Sequence, residues 1–510
     1  MKPLKEVLKD QKLYHESPDI NTVHRSSLIV PKIKGFKTYI SFLNHFLIKR
    51  GYESVNLKIT PYTQKGSPLD SQSLEITKPK VYTFHLDNLI DSKEISSFEI
   101  EFLSSKNLFI PFCAVIVNHL SENCINSVHS YNRTLNDLRE NEKISKINVK
   151  EASFEYLNNE KNGTFLVFQR GFSSNEMNNK TLEFELYKNE VQKPIWKSSL
   201  NLSEKNRPMT SNLIRLNELF DDLPLTNSKS SFSLKIKQPK QFFFYGRLLA
   251  GLFSKEDNSF SANHSYYDNS SFEEYFENQE SFRTFPFFED KTNDIIIHPV
   301  MSPTLGKLLI SLNYYSDNNL KNIVVVDEEY KDNNKIYHFE LNEIIKKIKI
   351  SNIKTFTVHF IADDEHKPPT RFSIQLSYGC LDGGLNSSIN ATLTNKSVNS
   401  YKKKKYISWI QVVNHHEYDS NTAICFNDAY EKGINLTKFP ITIKKYSSNG
   451  LIDEESIFLK PTDSYFVKPS PSEKDTFIWV TAESKIKGPL NIYTFHTNKK
   501  TFHSSGEHNF

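Results

Sequence analysis

Phe356-Thr357-Val358-His359-Phe360 and Phe372-Ser373-Ile374-Gln375-Leu376 are separated by a break that contains Asp363-Asp364-Glu365 and Pro368-Pro369, and their reading decides the fold. Each run puts an apolar residue at every second position. An extended backbone sends successive side chains to opposite faces, so such a run has one dry face and one wet face. Leu182-Glu183-Phe184-Glu185-Leu186 and Phe232-Ser233-Leu234-Lys235-Ile236 read the same way, and Phe165–Phe168 is a looser example. Continuous apolar runs at Ile295–Ile297 and Ile323–Val326 suit strands covered on both faces. Asn, Ser, Asp and Pro clusters separate the runs, as turns require. Helical spacing is scarce: Leu4, Val7 and Leu8 near the N-terminus, Ser271 as a cap for Phe272, Tyr275 and Phe276, and an ambiguous segment at 342–350. The expected fold is all-β, a series of tandem β-sandwich modules, immunoglobulin-like or jelly-roll-like, with a few short helices.

Two internal correspondences suggest repetition. Tyr82-Thr83-Phe84-His85-Leu86 leads to Phe98–Phe102, and Tyr337-His338-Phe339-Glu340-Leu341 leads to Phe356–Phe360. Looser versions are Leu213–Leu216 leading to Phe232, and Ile457–Leu459 leading to Phe477. Separately, Ile40–Leu43 aligns with Ile407–Ile410 and Tyr52–Ser54 with Tyr418–Ser420, without a gap. The expected organisation is an N-terminal helical or extended segment at 1–21 and four sandwich modules at 22–135, 150–270, 290–398 and 405–510. Each module has about the length of a seven- to nine-strand sandwich. Two larger jelly rolls, at 22–270 and 290–510, are the alternative. Propeller blades are too short to match.

A chain of 510 residues exceeds one ordinary core. Its 38 Phe and 24 Tyr let each core be built from few side chains. Abundant Lys, Asn, Ile and Phe beside only 15 Gly also match AT-rich codon usage, which explains the aromatic excess without invoking function. Basic and acidic residues nearly cancel, 64 against 60, and no nucleic-acid partner is expected from that balance. The run Lys402–Lys405 reads as a solvated linker. No stretch is long and apolar enough for a membrane helix, so no membrane insertion is expected, and the N-terminus lacks the apolar core of a secretory signal. Cys113, Cys124, Cys380 and Cys425 are scattered and make no metal-binding spacing. Reduced thiols and a cytoplasmic location follow as the expectation.

The nucleotide, kinase, hydrolase and zinc-protease motifs are missing. What remains are histidines at module ends: His129 in Ser127-Val128-His129-Ser130-Tyr131, His264 with Tyr266 and Asp268, and His508 after Glu507. A His beside Ser, Tyr and a carboxylate can act as base or metal ligand, or it can tether a chain end by hydrogen bonds to backbone carbonyls. His415 and Glu417 would share a strand face and could ligate one ion, whereas His415 and His416 would point apart. His24 and His298 precede Pro-containing approaches to strands. Asp327-Glu328-Glu329 and Asp363–His366 are acidic loops with calcium-compatible chemistry. Phe285, Phe287, Phe288 and Tyr267 form a candidate aromatic contact surface, for stacking on a ligand or for packing between modules. No cofactor is expected, with a divalent metal as the one option the histidines leave open.

The leading functional expectation is a non-catalytic binding or scaffold protein whose ligand is a polysaccharide or a partner protein. A self-assembling, capsid-like structural protein is the first alternative, which makes self-association a further partner option. A metal-assisted enzyme using the His, Tyr and Asp clusters is the second.

Overall fold

The computed structural model describes residues 2–3, 5–6, 9, 25–89, 94–104, 113–129, 132–134, 151–171, 181–188, 191, 193–202, 207–226, 232–239, 243–245, 247–268, 274–298, 304–331, 335–394, 399–427, 438–468, 470, 473–487 and 490–510. The protein is nearly all β. It divides into two units, Met1–Glu273 with Asn334–Ile336, and Glu274–Asn333 with Tyr337–Phe510.

The first unit holds two sandwiches. In the first sandwich, β1 to β8 are Arg25–Pro31, Lys37–Leu43, Val55–Thr63, Gln72–Ile76, Val81–His85, Ile95–Leu103, Ile116–Leu120 and Ile125–His129. One sheet runs β1-β6-β3-β4 and the other β5-β2-β7-β8; Arg133–Thr134 and Phe243–Tyr245 extend the first beyond β1. The second sandwich uses β9 to β16: Glu151–Glu155, Asn162–Gln169, Thr181–Lys188, Trp196–Asn201, Ser211–Arg215, Phe232–Lys237, Leu249–Ser254 and Phe260–His264. Its sheets are β9-β14-β11-β12 and β13-β10-β15-β16, with Tyr266–Asp268 added beside β9.

The second unit repeats this order twice. β17 to β24 are Glu280–Pro286, Lys291–Ile297, Gly306–Ser316, Asn319–Tyr330, Tyr337–Glu340, Ile353–Ala362, Ser373–Cys380 and Ile389–Thr392. They form sheets β17-β22-β19-β20 and β21-β18-β23-β24. β25 to β32 are Asn399–Val413, Tyr418–Phe426, Phe439–Ser447, Gly450–Leu459, Ser464–Phe466, Phe477–Lys487, Leu490–Asn498 and Ser504–His508. Their sheets are β25-β30-β27-β28 and β29-β26-β31-β32. All four sandwiches therefore place their strands in the order first-sixth-third-fourth and fifth-second-seventh-eighth.

The alternating runs supply the cores. Phe356, Val358 and Phe360 of β22 face Ile374, Leu376 and Tyr378 of the opposite sheet in one cluster, all fully buried. Phe184 and Leu186 of β11 share a core with Leu166 and Phe168 of β10. Ile441 and Ile443 of β27 share another with Ile424 of β26. In the first sandwich, Phe42 of β2 meets Phe102 of β6 edge-on at 5.0 Å across the two sheets.

Short helical turns sit where a strand ends on an inward Leu. Leu86, Leu216 and Leu341 are buried and begin the turns Leu86–Leu89 and Leu216–Glu218 and the helix α2 (Leu341–Ile348), each after the fifth strand of its sandwich. α2 carries Glu343 in its first turn and Lys346 and Lys347 in its last, which suits the helix dipole. α1 (His45–Arg50) is capped by Asn44, whose side chain accepts from the Leu47 amide, and ends at Gly51 with φ +71°.

Some sequence correspondences join unlike positions. Ile457–Leu459 ends a fourth strand, β28, whereas its three supposed counterparts end fifth strands. Ile40–Leu43 lies in a second strand and Ile407–Ile410 in a first. Alternating strands drawn from few residue types align readily out of place, because a two-residue period offers many equivalent offsets. Glu274–Tyr275 is extended rather than helical. Ser271, Phe272, Leu4, Val7, Leu8 and His24 lie outside the described residues.

Candidate functional site

His129 is the last residue of β8 and His264 the last of β16, the equivalent position in the neighbouring sandwich of the same unit. The two eighth strands meet: the Ala262 amide donates to Asn126 Oδ1 at 2.8 Å. The imidazoles stand edge to face, with centroids 4.4 Å apart. Arg247, which leads into β15, brings Nη1 to 3.3 Å from His264 Nε2, and its backbone amide donates to Asn132 Oδ1 at 2.8 Å. His264 Nδ1 lies 3.2 Å from the Ser265 carbonyl oxygen.

A guanidinium only donates, and Arg247 Nη1 also lies 3.5 Å from His264 Nδ1, so a permanent cation sits against the ring nitrogens a metal would use. The pair suits a strand-end tether, and His264 as a ligand would require Arg247 to withdraw. Tyr266, Tyr267 and Asp268 pair through backbone with Ser153, Ala152 and Glu151 of β9; their side chains are outside the described residues.

In the second unit, His508 again ends an eighth strand, β32. Its Nδ1 is 3.0 Å from the Asn509 carbonyl oxygen and its Nε2 is 3.9 Å from Glu507 Oε1. The eighth strand of the third sandwich ends in Thr392 instead.

His415 and Glu417 occupy the turn between β25 and β26, not a strand face. The Glu417 amide donates to His415 Nδ1 at 3.3 Å, and the carboxylate lies 3.9 Å from that nitrogen, in solvent. The His415 and His416 rings are tilted against each other with centroids 4.5 Å apart. The turn brings together side chains that an extended strand would hold apart. Asp327 is paired with Lys307 at 2.8 Å within a strand, and Asp363 is held below the usual carboxylate range by His366, 2.6 Å away. His298 is buried, with Nε2 3.0 Å from Gln375 Oε1.

Phe285, Phe287 and Phe288 are buried and so offer no stacking face to a ligand. They join the third and fourth sandwiches: Phe285 meets Tyr493 at 5.6 Å, and Phe288 meets Phe495 at 4.9 Å and Phe466 at 5.5 Å.

Two features escape a motif search. Asp87 accepts from Lys32 Nζ at 2.5 Å and from the Thr38 amide at 2.7 Å, with His85 Nε2 3.4 Å away and Tyr39 stacked on the His85 ring. Its partners come from separated strands. The other is the long fourth-strand edges of the second unit, β20 and β28. They expose Val324, Leu451 and Phe458, and no strand among the described residues bonds their outer sides. A sequence run shows a strand; its neighbours decide whether it is an edge.

No family model matches the chain, and no curated protein does. Among solved structures, the chain is weakly similar to Bacteroides uniformis beta-glucuronidase 2 covalently bound to cyclophellitol-6-carboxylate aziridine, at 14% identity and a TM-score of 0.12. The match covers 45% of this chain and 25% of that one, and a likeness at that score carries no argument. No helix among the described residues is long and apolar enough to cross a membrane.

Proposed function

We propose that the chain is a non-catalytic binding or scaffold protein that takes extended segments of partner proteins onto the open sheet edges of its second unit. The carrying observation is the pair of long fourth strands, 12 residues in β20 and 10 in β28, at the ends of their sheets, with only Val326, Tyr330 and Leu459 buried. An open edge presents unpaired N–H and C=O groups, which recruit another strand by main-chain hydrogen bonds. The repeated sandwich supports the same reading, since a duplicated module supplies several equivalent edges on rigid frames. Free cysteines, three of them buried, fit the cytoplasm.

The test is selection of displayed peptides of about ten residues, a strand's length, by the full chain, with binders mapped by hydrogen exchange. Protection confined to β20 or β28 supports the proposal. Binders that protect neither strand, or no binders, refute it. Light scattering runs alongside: particles far above 59.3 kDa at micromolar concentration would favour the self-assembling alternative.

A further inference from the structure

The fourth-strand edge β28 differs from an ordinary edge in its charge. Asp453, Glu454 and Glu455 follow one another at its centre, and Leu451 and Phe458 flank them, 50% and 65% exposed. Pairing with β27 sets Asp453 opposite Lys445, Glu454 opposite Lys444 and Phe458 opposite Pro440. Alternation then places Glu454, Ser456 and Phe458 on one face and Asp453, Glu455 and Ile457 on the other.

The neighbouring lysines do not balance these acids. Lys445 Nζ bonds Asp453 at 2.9 Å, and Lys444 Nζ lies 3.6 Å from both Glu454 and Glu483. Glu455 accepts from the Tyr465 hydroxyl at 2.6 Å, a neutral donor. Four carboxylates thus share two ammonium groups. Antiparallel pairing of β28 with its copy about its centre would set Glu454 against Glu454 and Asp453 against Glu455, and like charges directly opposite repel. The edge therefore rejects itself while keeping its backbone groups available.

We infer that β28 is a docking strand for an extended, basic segment of a partner protein that alternates Lys or Arg with apolar residues. This rests on the binding function proposed above and names the partner's chemistry. Cationic side chains of the added strand would lie beside Asp453 and Glu455 on one face, and its apolar side chains would cover Phe458 on the other. Main-chain bonds would supply affinity and the acids selectivity.

The experiment measures anisotropy of labelled, end-capped peptides with the full chain: one alternating Lys with Val, the same peptide with Glu for Lys, one alternating Ser with Val, and the Lys peptide with every backbone nitrogen methylated. The Lys peptide is expected to bind, to protect 450–459 from exchange, and to weaken with salt. Asp453→Asn, Glu454→Gln and Glu455→Gln together should weaken it up to about tenfold, since the two exposed charge pairs lost, at Asp453 and Glu455, are each worth a few tenths to about 1 kcal/mol. Methylation should abolish binding, because neither edge of the peptide can then donate. Equal binding by the methylated peptide would show mere charge attraction and overturn strand addition. Protection of 450–459 by the Ser or Glu peptide but not by the Lys peptide would overturn the basic partner and leave the edge-binding function standing. Protection by none would end both at this strand. An unchanged exchange pattern elsewhere in the triple variant shows that it folds.

Discussion

Acid should loosen the first unit more than the second, through histidines buried as neutral rings. Burial holds His45 down to about 3 and His119 down to about 4 in the first unit, and His298 down to about 4 in the second. For His119 the bond to the Pro31 carbonyl, 3.2 Å away, opposes this and nearby Lys32 adds to it. Unfolded, each ring takes a proton near its ordinary 6.5; folded, it does not. The stability each ring protects is therefore complete above about pH 6.5 and drains as pH falls toward the folded value. Between about pH 7.5 and about pH 5, each ring costs about 2 kcal/mol, so the first unit loses about 4 and the second about 2. A loss of about 4 kcal/mol is a large share of a typical domain stability of about 5–15 kcal/mol. The lowered carboxylates Asp419 and Glu185 lose their contribution only below their ordinary range, whereas Asp463 of the second unit, raised by burial, adds stability as pH falls and so widens the difference between the units. The assay is urea unfolding at several pH values, followed by pulsed hydrogen exchange that assigns each transition to its unit. His119→Gln keeps a polar side chain without the titration and should flatten the first unit's pH dependence by about 2 kcal/mol across the window. An unchanged slope in that variant, or an equal slope in both units, would refute the reasoning.

Three further outcomes follow from the packing. Phe288→Ala should cost about 3–5 kcal/mol in the second unit, because Phe288 is buried against Phe495, Phe466 and Tyr378; chemical denaturation reads this, and the first unit's transition should not move. Gly384→Ala should destabilise the second unit by more than about 1 kcal/mol, since Gly384 has φ +84° and an added Cβ would lie 2.2 Å from the Phe502 carbonyl oxygen; thermal unfolding checks it. Arg247→Gln should raise zinc uptake in a chain otherwise unresponsive to added zinc, because it removes the cation beside His264 Nε2. Calorimetric titration decides this, and tight zinc binding by the unmodified chain would overturn the tether reading.

Local chemistry was enough to specify the strands and their inward faces. Phe356, Val358 and Phe360 point to one side because an extended chain alternates, whatever lies beyond it. The same holds for the histidines at chain positions 129, 264 and 508: their recurrence at strand ends is a sequence pattern, and the structure puts each at the end of an eighth strand. Pairing decided the rest. Period two gives no register and no neighbour, so Ile40–Leu43 could be matched to a strand of different rank, and nothing in Asp453-Glu454-Glu455 announced an open edge. His415 and Glu417 changed meaning when their backbone turned instead of extending. Arg247 reached His264 only because β15 and β16 are partners in one sheet. Alternation is set by neighbours in the chain, whereas edges and charge partners are set by strands far apart in sequence, which only the tertiary fold brings together.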